Sequence, residues 1–131
     1  MNEVVEVLKA ISDPTRMRIL MSLMNGELCV CRITAFLELA PSTVSKHLSI
    51  LRHAKLLKSR KEGKWIYFNL NHSNKEDLIT KTLELLRNNL ENDSIISSDL
   101  VKLKKILKVS REELCKNHIS LMIQPQYKRG V

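Results

Sequence analysis

The chain reads as a mainly α fold with one small β-hairpin, and three patterns predict it. Apolar residues recur at helical spacing over most of its 131 residues. Strong helix formers dominate, and only Gly26 and Gly63 punctuate the first ninety residues. One short run, Trp65-Ile66-Tyr67-Phe68, has high strand preference and follows an X-Gly turn signal.

The elements follow in order. Val4, Leu8 and Ile11 fall at i, i+4 and i+7, which predicts a short amphipathic helix. Asp13-Pro14 restarts the chain, because Asp suits an N-cap and Pro the first helical position. The second helix turns Ile19, Leu20 and Leu23 inward and ends at Asn25-Gly26. Residues 27–37 read as a third helix with Ile33 and Leu37 inward. After the tight connection Leu39-Ala40-Pro41, Ser42 is placed as the N-cap of a fourth helix whose buried stripe is Val44, Leu48 and Leu51. Residues 57–61 and 64–70 read as strands flanking a Glu62-Gly63 turn. A fifth helix over about residues 75–90 carries Leu78, Thr82, Leu85, Leu86 and Leu90 along one side. So small a chain has little core left to cover that stripe, so it is read, with the first helix, as a homodimer face. Residues 1–90 are expected to form the main domain, which includes the dimerisation face, and residues 91–131 a helical C-terminal extension. In the extension Ile96, Leu100, Leu103 and Leu107 form a stripe expected to pack against the dimer. Ser110-Arg111-Glu112-Glu113 has the form of a capping box, and residues 124–131 read as a loose basic tail.

Composition narrows the function. No run of about 18 apolar residues exists, and residues 1–3 begin an acidic amphipathic segment, so neither a membrane span nor export is expected. The expected location is the cytoplasm, where three cysteines, an odd count, stay reduced. No paired carboxylates, activated nucleophile or Gly-rich phosphate loop stands in a catalytic arrangement, so an enzyme is not expected. The net charge is +8, of which residues 46–64 carry +6. That concentration is the footprint of a protein that binds a polyanion, with a solvated charged face as the plainer alternative.

The basic segment coincides with a recognisable arrangement. Opposite its buried stripe, the fourth helix presents Thr43, Ser45, Lys46 and Ser49, with Ser42 and His47 beside them. Short hydroxyl donors and a cation on one helix face suit phosphates and base edges. Two helices joined by a short turn, the second so decorated, form a helix-turn-helix. The hairpin after it carries Lys58, Arg60, Lys61 and Lys64 and reads as a wing reaching the neighbouring groove or backbone. The fold class expected is therefore a winged helix-turn-helix homodimer on double-stranded operator DNA.

Glu27-Leu28-Cys29-Val30-Cys31 sets two thiols two residues apart, about ten residues before the recognition helix. Thiolate sulfur selects soft and borderline ions, so the pairing suggests a repressor released by a thiophilic ion. On an ideal helix residues two apart point about 200° from each other. Both thiolates then grip one ion only if the first turn of the third helix deforms, which would disturb the recognition helix it supports. A buried cysteine acting as a small hydrophobe is the plainer reading, which the pairing offsets.

Together these residues resemble the ArsR/SmtB family of bacterial winged-helix metalloregulators over roughly residues 3–90. The resemblance rests on Ser12-Asp13-Pro14-Thr15-Arg16-Met17-Arg18-Ile19-Leu20, on Glu27-Leu28-Cys29-Val30-Cys31, on Ser42-Thr43-Val44-Ser45-Lys46-His47-Leu48 through Leu51, and on Gly63-Lys64-Trp65-Ile66-Tyr67. It implies a homodimeric repressor with no constitutive cofactor that leaves its operator when an inducer ion binds. The Cys29/Cys31 pair is similar to the branch sensing arsenite and antimonite, where a third cysteine often lies three residues further on; here that residue is Thr34. Cadmium and lead sensors draw further thiolates from an N-terminal arm, and no cysteine precedes Cys29 in this sequence. The zinc-sensing branch uses His and carboxylates on the fifth helix, and residues 75–90 contain no His. Cys115 is the remaining candidate ligand, from the same subunit or its partner, and His118 beside it would suit zinc or cadmium. A thiol redox sensor on the same scaffold is the alternative, although a Cys-X-Cys pair closes a strained ring.

Overall fold

The computed structural model describes residues 1–110 and 112–114. Arg111, Cys115, His118 and the expected tail at residues 124–131 lie outside the described residues. The elements run α1 (Asn2–Ile11), α2 (Pro14–Ser22), β1 (Leu28–Cys29), α3 (Val30–Leu37), α4 (Pro41–His53), β2 (Leu57–Glu62), β3 (Trp65–Leu70), α5 (Leu78–Leu90) and α6 (Ser94–Ile106). The strands form one antiparallel sheet in the order β1-β3-β2. This is a winged helix-turn-helix, with α3 and α4 as the two helices of the motif and β2–β3 as the wing.

Local chemistry sets the helix starts. Asp13 caps α2 by accepting from the Arg16 backbone N–H at 3.0 Å, with Pro14 behind it in the first turn, as the sequence predicts. Pro41 takes the same place in α4, so the cap is Ala40 and not Ser42. The Ala40 carbonyl accepts from Thr43 and Val44 at 3.0 and 3.1 Å, and Ser42 lies one residue inside the helix. The other end of α4 closes with Lys55 in the left-handed region at φ 66° and the Leu56 N–H reaching the Leu51 carbonyl at 3.0 Å. That closure turns the chain directly into β2.

The core unites Ile19 and Leu20 of α2, Ile33 and Phe36 of α3, and Val44, Leu48 and Leu51 of α4. It departs from expectation on the outer helices. In α1 the buried residues are Val7, Ala10 and Ile11, while Val4 and Leu8 are 43% and 54% exposed. The two apolar stripes lie side by side on one helix, and periodicity does not say which of them meets α2 and α4. The α5 stripe is also not free. Thr82 and Leu86 are buried inside the same chain together with Leu83, and Leu85 alone of the expected stripe is exposed. The helix starts at Leu78, later than expected, because Asp77 caps it by accepting from the Thr80 N–H at 2.9 Å.

The α6 helix explains where the rest of the core comes from. Ile96 and Leu103 are buried against α2 and α3 of the same chain, so the expected packing of this stripe on the dimer is corrected. Arg18 donates to both oxygens of the buried Asp99 at 2.8 and 2.9 Å, and this hydrogen-bonded partner raises the Arg18 pKa. Lys102 donates to Glu38 at 2.6 Å and to the Phe36 carbonyl at 3.4 Å, satisfying the C-terminal end of α3. Ser110 accepts from the Glu113 N–H at 3.2 Å, the cap half of the expected capping box.

Removing the Asp99 carboxylate strands a partly buried guanidinium. Asp99→Ala is expected to lower unfolding free energy by about 2–3 kcal/mol. Urea denaturation checks this, and an unchanged midpoint would show α6 to be an appendage.

Candidate nucleic-acid interface

The surface of α4 follows from its buried stripe. With Val44, Leu48 and Leu51 turned inward, Ser42, Ser45, Lys46 and Ser49 are exposed, and Thr43 is half-buried. Arg52, seven residues beyond Ser45 and three beyond Ser49, continues the exposed face. His47 is held differently. Its Nδ1 lies 3.2 Å from Arg16 Nη1 and 4.0 Å from Asp13, which turns the ring towards α2. Arg16 also donates through Nε to the Ala10 carbonyl at 2.6 Å and through Nη2 to the Lys9 carbonyl at 3.3 Å. One guanidinium thereby joins the end of α1, the start of α2 and the recognition helix.

The wing is a six-residue ladder in which Leu57 faces Leu70 and Glu62 faces Trp65. Its two-residue turn is Gly63-Lys64, one residue later than expected, with Gly63 at φ +60° as a primed hairpin turn requires. Lys58, Lys61 and Lys64 are exposed, and the Lys64 ammonium sits 5.0 Å from the Trp65 ring centre. Arg60 is engaged. It donates through Nε to Glu27 at 3.0 Å, makes a second short bond to the same carboxylate, donates to Glu62 at 2.8 Å and lies 4.4 Å over the Tyr67 ring. The Glu27 bonds raise the Arg60 pKa, and the Arg60 bond holds the Glu27 carboxyl below the usual range.

Between α4 and the wing lies a groove of about 410 Å³. Ser45, Ser49 and Arg52 line one wall, Ser59, Arg60 and Lys61 the other, and Val30 reaches it from the head of α3. Arg52 Nη1 lies 3.5 Å from Ser59 Oγ across the gap. Hydroxyls and cations facing each other across a concave surface match a phosphate backbone. The sequence reading missed Arg52 and Ser59; helical spacing from Ser45 and Ser49 was the signal for Arg52, and no comparable signal marks Ser59.

The Cys29/Cys31 segment adjoins this groove through Val30, and it differs from expectation in two ways: it is not wholly helical, and Cys31 is not reduced. Residues 27–29 are not helical: Leu28 pairs with Phe68 and Cys29 with Tyr67, so β1 is a third strand on the inner edge of the wing. Cys29 is the extended N-cap of α3, 1% exposed, and its thiol is free. Cys31, in the first turn of α3, is half-buried and disulfide-bonded, and Cys29 is not its partner. Thr34 is buried and donates to the Val30 carbonyl at 2.7 Å. Among the described residues no group of three or more His, Cys, Asp or Glu stands close enough to hold a metal ion. Cys115 lies outside the described residues.

Residues 13–59 match the model of the family described as bacterial regulatory protein, arsR family. An HTH-type transcriptional regulator of Methanocaldococcus jannaschii is 41% identical over 81 residues, 61% of this chain and 91% of that protein. The chain belongs to the arsR family. A cadmium resistance transcriptional regulatory protein CadC homolog of Staphylococcus aureus is 40% identical over 80 residues, 60% of this chain and 66% of that one. The arsenical resistance operon repressor of Escherichia coli is 39% identical over 67 residues, 50% of this chain and 57% of that one. The match thus spans less than two thirds of the length of these two relatives. Among solved structures, HlyU from Vibrio cholerae superposes with a TM-score of 0.60 at 31% identity, covering 68% of this chain and 92% of that one. A homodimeric winged helix-turn-helix domain from Mycobacterium bovis shares the fold at a TM-score of 0.60 and 24% identity, over 69% of this chain and 80% of that one. Members of the arsR family are transcriptional regulators, and the chain is not an enzyme. No helix among the described residues is long and apolar enough to cross a membrane.

The wing and the recognition helix should separate by experiment. Lys58→Ala or Lys61→Ala is expected to weaken binding to all duplexes alike and to reduce the slope of log K against log salt by about 1. Ser45→Ala or Lys46→Ala should instead change the preferred sequence. Binding isotherms over a salt series on specific and scrambled duplexes measure both, and identical behaviour of the two groups would refute the division.

Proposed function

We propose that this protein is a homodimeric transcriptional repressor that occupies operator DNA through α4 and the wing. It leaves when a thiophilic ion, arsenite or antimonite, binds the Cys29 and Cys31 thiolates. The observation that carries the reading is the position of the pair: Cys29 ends the strand that pairs with the wing, Cys31 begins α3, and Val30 between them lines the groove. The relatives named for arsenical and cadmium resistance support the same class of signal. The contacts to DNA are assigned to Ser42, Thr43, Ser45, Lys46 and Ser49 on α4 and to Lys58, Lys61 and Lys64 on the wing. His47 acts through its packing on Arg16, and Arg60 through its bonds to Glu27 and Glu62. Homodimerisation uses the exposed apolar faces of α1, with Val4, Val5 and Leu8, and of α5, with Leu85.

Two sulfur donors fit a soft ion in kind but not in number, since trivalent arsenic and antimony take three thiolates. The third is assigned to Cys115, of the same or the partner subunit; cadmium, lead or zinc would use the same pair with other ligands. Cys29 reaches an ion only by leaving the interior, which strains the pairing of β1 with β3. The ion and the operator therefore favour different arrangements of one strand, and linkage makes them antagonists.

The disulfide at Cys31 favours a second reading, in which oxidation of this thiol is the signal. The two readings part in one titration. Reduced protein on a fluorescent operator duplex is expected to be released by arsenite, and both Cys29→Ser and Cys31→Ser should abolish that release. Release by peroxide that survives Cys29→Ser but not Cys31→Ser would establish the redox reading in its place.

A further inference from the structure

Arg60 is a wing cation whose guanidinium is held by two carboxylates, and Glu27 supplies two of the bonds. The Glu27 carboxylate accepts two bonds from the guanidinium and a third from Asn69 Nδ2 at 2.7 Å, so it grips both strands of the wing at once. Glu27 precedes β1 directly, and β1 pairs with Tyr67, the residue that faces Arg60 across the ladder and supports its guanidinium. Cys29, Tyr67, Arg60 and Glu27 thus close a ring of contacts. The thiol segment and the wing are joined through it by backbone pairing on one side and by an ion pair on the other.

We propose that Glu27 is a positioning residue that fixes the wing against β1 and the head of α3 through Arg60, and so carries movement of the Cys29/Cys31 segment to the DNA-binding groove. The coupling half of this statement rests on the ion-responsive reading above; the positioning half does not. With Glu27 in place, Arg60 is drawn back over Tyr67 and the hairpin keeps one orientation, so Lys58 and Lys61 meet the backbone in register. Without it the guanidinium is released to any phosphate within reach while the hairpin loses its anchor. Non-specific attraction then rises as operator discrimination falls. Motion of β1 also no longer reaches the wing by this route.

The experiment uses the full chain with Glu27→Gln, Arg60→Gln and the double variant, measured on operator and scrambled duplexes over a salt series with and without arsenite. For Glu27→Gln the salt slope is expected to steepen by about 1, as one more cation meets phosphate. The ratio of operator to scrambled affinity should fall about tenfold. The factor by which arsenite weakens operator binding should shrink at least about fivefold, within the range of ordinary allosteric couplings. The double variant should lose no more of that factor than Arg60→Gln alone, because Glu27 acts through Arg60. Arsenite binding, followed by the ultraviolet absorption of its thiolate bonds, should remain as in the wild type. A Glu27→Gln protein with wild-type slope, discrimination and coupling would overturn the proposal, as would additive losses in the double variant. A wild-type protein that arsenite does not release would overturn the inducer reading and the coupling half. The slope and discrimination would still decide whether Glu27 positions the wing.

Discussion

The two-residue pairing of β1 with β3 is the constraint around which the functional half of the molecule is arranged. Leu28 and Cys29 pair with Phe68 and Tyr67 across thirty-seven or more intervening residues. By doing so they seat the head of α3 on the inner edge of the wing. Two bridge positions contribute on the order of 1 kcal/mol per net hydrogen bond, a modest sum in isolation. Their effect is geometric. The α3 helix begins where β1 stops, so its first turn is placed beside the groove, which Val30 lines. A two-stranded hairpin alone is marginal in water, and the third strand together with packing on the core makes this one a defined surface.

The recognition helix is fixed by two further devices of different kinds. Its inner stripe is held by dispersion and exclusion of water, and Val44 and Leu51 are fully buried. Its rotation about that stripe is restrained by the contact of His47 with Arg16, and Arg16 in turn donates to backbone carbonyls at the end of α1. The α6 helix acts from the opposite side. Its buried Asp99 holds α2 and its Lys102 holds the end of α3, so the two helices supporting α4 are cross-braced. The α6 helix therefore belongs mechanically to the scaffold behind the DNA face, and none of its residues lines the groove.

Much of this was legible in the sequence, and the failures share a cause. Asp13-Pro14, the inner stripe of α4 and the Trp65-to-Phe68 run were read correctly because each signal is local: a cap, a period, a strand preference. The strand at Leu28-Cys29 was read as helix because two residues carry no period, and their partner lies far away in sequence. The stripes of α1, α5 and α6 were seen, but their neighbours were misassigned. Periodicity shows that a face is apolar and not which surface covers it, so α6 was sent to the dimer when it fills the chain's own core. In the site, the exposed residues of α4 were recovered by subtracting the buried ones. Arg60 was grouped with Lys58 and Lys61 as a wing cation, because nothing in a sequence reveals that Glu27 meets it from thirty-three residues away.

The corrected geometry changes what an inducer would have to do. Two thiols on one helical turn would call for local unwinding of α3, and that cost falls on a helix otherwise braced by α6. With Cys29 on β1, the movable part is the strand instead. Drawing its side chain out of the interior gives up the burial of a small apolar group and loosens two bridge positions. Together these cost on the order of 2–4 kcal/mol. That overlaps the upper part of the roughly 1–3 kcal/mol typical of allosteric coupling, which is about 5- to 150-fold in affinity. A switch built this way leaves the helical core intact in both states and spends its free energy at the edge of the wing, where a change of register or tilt is felt at once by every cation that faces the DNA.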